Sequence, residues 1–231
     1  MPRKNRNFSR QRESSKNLQR NVLIVAGIVV AVIIVVAIAA NQSTPATVTD
    51  TARELGSATA PVVVEEFSDY QCPYCGLFNT TVETRLREQY INTGKVRFIF
   101  RNYPIVDSFV SNGTESHLAA LAALCAGEQN MFWDYHDLLF KSQGTENSGA
   151  FSTPRLQAMA AQLHLDSVRF DQCLSNQSYA NVLEGDIRLA QYYKISATPS
   201  FFVNGVQVTG TSEDFQWLFD AIDRALSTMG I

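Results

Sequence analysis

The sequence predicts an α/β domain with a helical block inserted into its middle, carried behind one N-terminal transmembrane helix. Three observations lead there: an uncharged apolar run from Val22 to Ala40, a strand, turn, helix and strand opening between Val62 and Arg101, and a long stretch of helical periodicity over about 112–194. With 231 residues, 45% of them hydrophobic, the chain is no collagen, no wholly disordered protein and no small disulfide knot.

The net charge of -3 hides a strong asymmetry. Residues 1–20 hold seven basic side chains (Arg3, Lys4, Arg6, Arg10, Arg12, Lys16, Arg20) against Glu13 alone, a surplus of six, so residues 41–231 carry -9. At about 1.5 Å per residue, the run from Val22 to Ala40 would span roughly 28 Å, the thickness of a bilayer's hydrocarbon. The basic flank places the N-terminus in the cytoplasm and the acidic body outside. A cleaved signal peptide is the competing reading, since Ala37-Ile38-Ala39 offers small residues for a cleavage site, but the apolar run is long for one. Residues 41–60, rich in Ser, Thr, Ala and Pro, read as a linker, and 61–231 as the folded domain.

Val62 to Phe67 is a β-branched run entered through Pro61 and reads as a buried strand. Leu77, Phe78, Val82, Leu86 and Tyr90 follow at helical spacing until Asn92-Thr93-Gly94. Val96 to Arg101 alternates as a second strand. Helices are expected over about 114–127, 130–142, 153–163, 166–175 and 178–193, punctuated by Gly144, Gly149 and Pro154. Ser200 to Val203, the turn Asn204-Gly205 and Val206 to Thr209 form a hairpin. A last helix, about Ser212 to Leu226, sets Phe215, Leu218, Phe219, Ile222 and Leu226 on one face.

Cys72-Pro73-Tyr74-Cys75 falls at the junction of strand and helix. There the first turn's free N–H groups and the helix dipole point at the first sulfur and favour its thiolate, the form that attacks disulfides. Two intervening residues let Cys75 close a ring with Cys72 or resolve a mixed disulfide. Pro73 is tolerated because the first turn has N–H groups to spare. Half a zinc site is the bland alternative, yet Cys125 and Cys173 are isolated and His117, His136 and His164 show no paired ligand spacing.

Glu66-Phe67-Ser68-Asp69-Tyr70-Gln71-Cys72-Pro73-Tyr74-Cys75, together with Thr198-Pro199-Ser200-Phe201-Phe202-Val203-Asn204-Gly205, resembles the DsbA-type thiol:disulfide oxidoreductases of the thioredoxin superfamily. The resemblance covers 61–231, including the helical insertion, and implies a thioredoxin-like fold. It makes Cys72 the exposed nucleophile, Cys75 the buried resolving thiol, Pro199 a cis-proline facing them, and Thr198 a source of backbone groups for an extended substrate. It also implies that Glu66, rather than its neighbour Glu65, is the buried acid that exchanges protons with Cys75. Some relatives carry a second, structural disulfide in the helical block, which Cys125 and Cys173 would supply; two buried free thiols are the alternative. The Pro-Tyr pair between the cysteines is typical of glutaredoxins, which are short and lack the insertion.

The resulting expectation is a membrane-tethered, extracytoplasmic oxidase of exported proteins' cysteines. Its partners would be those unfolded substrates and a reoxidising membrane protein, DsbB-like or vitamin K epoxide reductase-like. A reductase or isomerase using the same cysteines, and a non-catalytic thioredoxin-like chaperone or binding module, are the other readings. No Walker loop, Gly-x-Ser-x-Gly elbow or dinucleotide fingerprint occurs, so no cofactor is expected, and no residues are assigned to a metal.

Overall fold

Val62 to Ser68 is a strand because its neighbours bury it from both sides. In the computed structural model, which describes residues 50–231, strand β2 (Val62–Ser68) lies between β3 (Val96–Asn102), paired parallel, and β4 (Ser200–Val203), paired antiparallel. β1 (Glu54–Leu55) and β5 (Val206–Val208) flank them, giving the order β1-β3-β2-β4-β5. This is a mixed α/β, thioredoxin-like sheet. The expected tail 1–20, the anchor 21–40 and the first part of the linker lie outside the described residues. Among the described residues no helix is long and apolar enough to cross a membrane.

Folded structure begins ahead of Pro61, at Asp50. A 3-10 turn, Asp50–Arg53, leads into β1, whose Glu54 and Leu55 pair with Ile99 and Phe98. Arg53 is buried and ion-paired to Asp186, which also accepts a hydrogen bond from Asn102 N at 3.0 Å. Glu54 receives Arg97 at 2.6 and 2.7 Å.

Helix α1 runs over 73–91 and crosses β2 to β3. Two of its segments, Phe78–Val82 and Arg87–Ile91, are π-wound rather than regular. In the first, Thr80 Oγ1 donates to Gly76 O at 2.7 Å and Thr81 Oγ1 to Leu77 O at 2.6 Å, so hydroxyls occupy carbonyls that the backbone ladder would use. Phe78, Val82 and Leu86 still reach the core against Val62, Val64, Phe98 and Phe201.

The insertion comprises α2 (Glu115–Gly127), α3 (Phe132–Lys141), α4 (Thr153–Gln162), α5 (Ser167–Ser175) and α6 (Ala180–Tyr192). Asp166 caps α5 by accepting from Arg169 N at 3.1 Å. Cys125 of α2 and Cys173 of α5 are joined as a disulfide, Cα to Cα 5.8 Å. The helical core built on Leu121, Leu124, Tyr135, Phe151 and Phe170 extends to Tyr70, Cys72 and Cys75, so the cysteines are packed by the insertion as much as by the sheet.

The last helix, α7 (Gln216–Thr228), starts four residues later than the spacing predicts. Phe215 precedes it in a left-handed conformation, φ 53°, held in an aromatic nest of Phe78, Phe201 and Trp217. Packing of that ring, rather than helix propensity, sets the start.

Candidate active site

Cys72 is the N-cap of α1, with extended backbone (φ -69°, ψ 121°) and Pro73 next to it in the first turn. That geometry turns the chain from strand into helix with Cys72 Sγ over the helix end. Cys72 is 7% exposed and Cys75 fully buried, and neither is in a disulfide. Facing them is a cis Thr198-Pro199 bond, and Cys72 Sγ lies 3.2 Å from Thr198 O. The β2–β4 pairing brings this about by setting Ser200 opposite Phe67 at the strand end from which the Cys72 turn departs.

The two sulfurs are driven apart in acidity. The Cys75 thiol, then the Thr198 side chain and the N–H groups of Cys75 and Tyr74, lower the Cys72 pKa to about 6 against the opposing effect of burial. Burial pushes the Cys75 thiol well up, and the adjacent Cys72 sulfur adds to it. The single donor to Cys75 Sγ among the described hydrogen bonds is Asp69 N, at 3.5 Å.

Alternation along β2 settles the Glu65-Glu66 doublet. Glu66 shares the face of Val62 and Val64, beneath α1, and is 1% exposed. Glu65 points to the other face and takes Arg101 at 3.0 Å. Burial, then the Glu83 carboxylate, raise the Glu66 pKa well above its usual value, and an ionised Glu66 would in turn push the Cys75 thiol up. A carboxyl held neutral near a resolving thiol can pass it a proton.

A polar network beneath the turn was not among the residues the sequence singled out. The buried Asp69 carboxylate accepts from Ser116 Oγ (2.6 Å), Gln71 N (2.8 Å) and Val106 N (2.8 Å), and burial raises its pKa to about 6. Gln71 Nε2 donates to Ser116 Oγ at 2.8 Å, and Gln71 Oε1 accepts from Asn147 N at 2.6 Å. The polar turn Ser68-Asp69-Tyr70-Gln71 ahead of a helix was the one local signal for it. Tyr70 OH meets His136 Nδ1 at 3.2 Å inside an aromatic shell of Phe100 and Phe140.

Metal-ligand types gather once among the described residues, at Glu83, His136 and Asp137, whose ligand atoms lie within 4.8 Å of one another. Arg87 already engages both carboxylates, at 2.5 Å from Glu83 and 3.3 Å from Asp137. His136 and Arg87 hold Glu83 below the usual carboxylate range in spite of its burial. The cluster reads as an ion-pair network centred on Arg87, running from the buried Glu83 to the exposed Asp137.

A family model described as thioredoxin matches residues 48–223. Over 180 residues the chain is 32% identical to the probable disulfide bond formation protein D of Bacillus anthracis, covering 76% of this chain and 79% of that one. The crystal structure of oxidised BdbD from Bacillus subtilis superposes with a TM-score of 0.67 at 29% identity, over 76% of this chain and 92% of that one. That of α-DsbA1 from Wolbachia pipientis does so at 0.64 and 26%, over 77% and 94%.

Proposed function

This chain belongs to the thioredoxin family and is a protein thiol:disulfide oxidoreductase with DsbA-type homologues, and from that premise we propose that it oxidises cysteines of exported proteins through Cys72 and Cys75. One observation supports this reading: Cys72 caps the N-terminus of α1, which favours its thiolate, its pKa being brought down to about 6, beside a buried Cys75 whose thiol is pushed up. A stabilised reduced form makes the disulfide form the stronger oxidant.

In the forward reaction a substrate thiolate attacks Cys72 Sγ of the Cys72–Cys75 disulfide. A substrate–Cys72 bond forms, the Cys72–Cys75 bond breaks, and its electron pair leaves on Cys75, which takes a proton from the neutral Glu66 carboxyl. A second substrate thiolate then attacks the substrate sulfur of the mixed disulfide. The substrate disulfide forms and Cys72 departs as a thiolate, two electrons having passed to the enzyme. In this reading Thr198, whose carbonyl lies 3.2 Å from Cys72 Sγ, aligns an extended substrate strand and Pro199 fixes its approach.

Delivery to that compartment rests on the sequence: the span from Val22 to Ala40 anchors the chain, its basic flank keeps the N-terminus cytoplasmic, and the body faces an oxidising exterior. A DsbB-like or vitamin K epoxide reductase-like membrane protein returns the pair to the disulfide. The test is the equilibrium reduction potential of Cys72–Cys75 against glutathione, with the rate at which the oxidised chain converts a reduced, unfolded substrate. A potential near the most oxidising relatives supports the oxidase; one as low as thioredoxin's, about -270 mV, makes the chain a reductase.

A further inference from the structure

We propose that Gln143, in the connection that leaves α3, is a positioning residue for the redox pair, clamping the backbone of the cysteine turn from the helical insertion. This rests on the reading that Cys72 and Cys75 are the redox centre.

The amide of Gln143 uses both of its hydrogens on the turn: Nε2 donates to Tyr70 O at 2.8 Å and to Cys72 O at 2.9 Å. The opposite amide orientation would set oxygen against two carbonyls that can only accept. Four residues on, Asn147 N grips Gln71 Oε1 at 2.6 Å, so one connection holds Tyr70, Gln71 and Cys72 in succession. The Cys72 carbonyl is also the first acceptor of α1, taking Gly76 N at 3.1 Å. Fixing that carbonyl fixes the extended Cys72 backbone from which the Tyr74 and Cys75 N–H groups reach its sulfur, and it offsets negative charge on the peptide that carries the thiolate.

Gly76 is what lets the amide in. A Cβ at this buried position would overlap Gln143 Oε1 and press on its Cδ. Glycine inside a helix otherwise disfavours it relative to alanine. Gly76→Ala should therefore favour the helix while expelling the clamp, so redox properties and stability move in opposite directions.

The experiment uses the full chain, wild type against Gln143→Ala, Gly76→Ala and the double variant. It reads the Cys72 thiolate by its absorbance against pH, and the equilibrium constant of the pair with glutathione. Each single variant is expected to raise the Cys72 titration midpoint and to make the pair about tenfold less oxidising, about 30 mV. The double variant should be no worse than either single, because both remove the same contact. Unchanged titration and equilibrium in Gln143→Ala would overturn the clamp, as would additive effects in the double variant. If Gln143→Ala does not fold, Gly76→Ala alone decides on the same two readouts. A wild-type chain that exchanges no disulfide with glutathione would sink the redox reading itself, a result distinct from failure of the clamp.

Discussion

The molecule holds two cysteine pairs of opposite character. Cys125 and Cys173 are joined across helices of one block, 48 residues apart in the chain, both buried and away from any helix N-terminus. Cys72 and Cys75 are three apart, sit at a helix N-terminus and differ in exposure and acidity. Loop closure makes the first pair a contribution to the folded state of up to about 4 kcal/mol. The second closes too small a ring to stabilise much by entropy, and its surroundings favour the reduced form instead. Environment, not the thiol, separates a fastener from what we propose to be a reagent.

The sharpest way to break this contrast is to remove each pair in turn by mutation. Cys72→Ser is expected to abolish disulfide transfer to a reduced substrate altogether, while Cys75→Ser accumulates mixed disulfides visible on non-reducing gels. Replacing Cys125 and Cys173 together by Ala should lower the unfolding free energy by up to about 4 kcal/mol, near a thousandfold in the folding equilibrium. Denaturant melts would show it, and the reduction potential of Cys72–Cys75 should stay where it was. Glu66→Gln should slow transfer at neutral pH by about a hundredfold, within the range of general acid–base catalysis, with stopped-flow as the check and little change in potential.

The smallest effect is in pH dependence. With Cys72 at about 6, the reduced pair holds one proton above that pH and two below it. The potential should fall by about 30 mV per pH unit above pH 6 and about 59 mV below. The sign for stability follows from the lowered pKa: ionised Cys72 contributes to the reduced fold fully above the unfolded thiol's value of about 8.5, and that contribution is lost as pH falls through about 6. Melts of the reduced chain at pH 8.5 and pH 5.5, set against the oxidised chain, would reveal it.

Much of this was legible because it is local. Val62 to Ser68, the helices of the insertion and the Asn204-Gly205 hairpin carry their periods and punctuation within a few residues, and the cysteine tetrapeptide announces its own helix end. Residues whose meaning depends on distant partners were not legible. Arg53 reads as a linker residue until Asp186, far along the chain, closes on it. β1 is too short to have a period and exists through Phe98 and Ile99. Asp69, Gln71 and Gln143 are ordinary polar side chains whose partners, Ser116, Asn147 and the carbonyls of the turn, are assembled only by the insertion. The left-handed Phe215 follows from aromatic packing that no spacing rule contains.

The early folding of residues 50–55 has a mechanical consequence. A pull on the chain ahead of Asp50 enters the body at the sheet's outer edge, through β1, with β3 between it and the strand that leads to Cys72. To peel β1 away, such a load must first part Arg53 from Asp186, a buried ion pair. A pull from that side thus meets an edge strand and an ion pair before it reaches β2 and the cysteine turn.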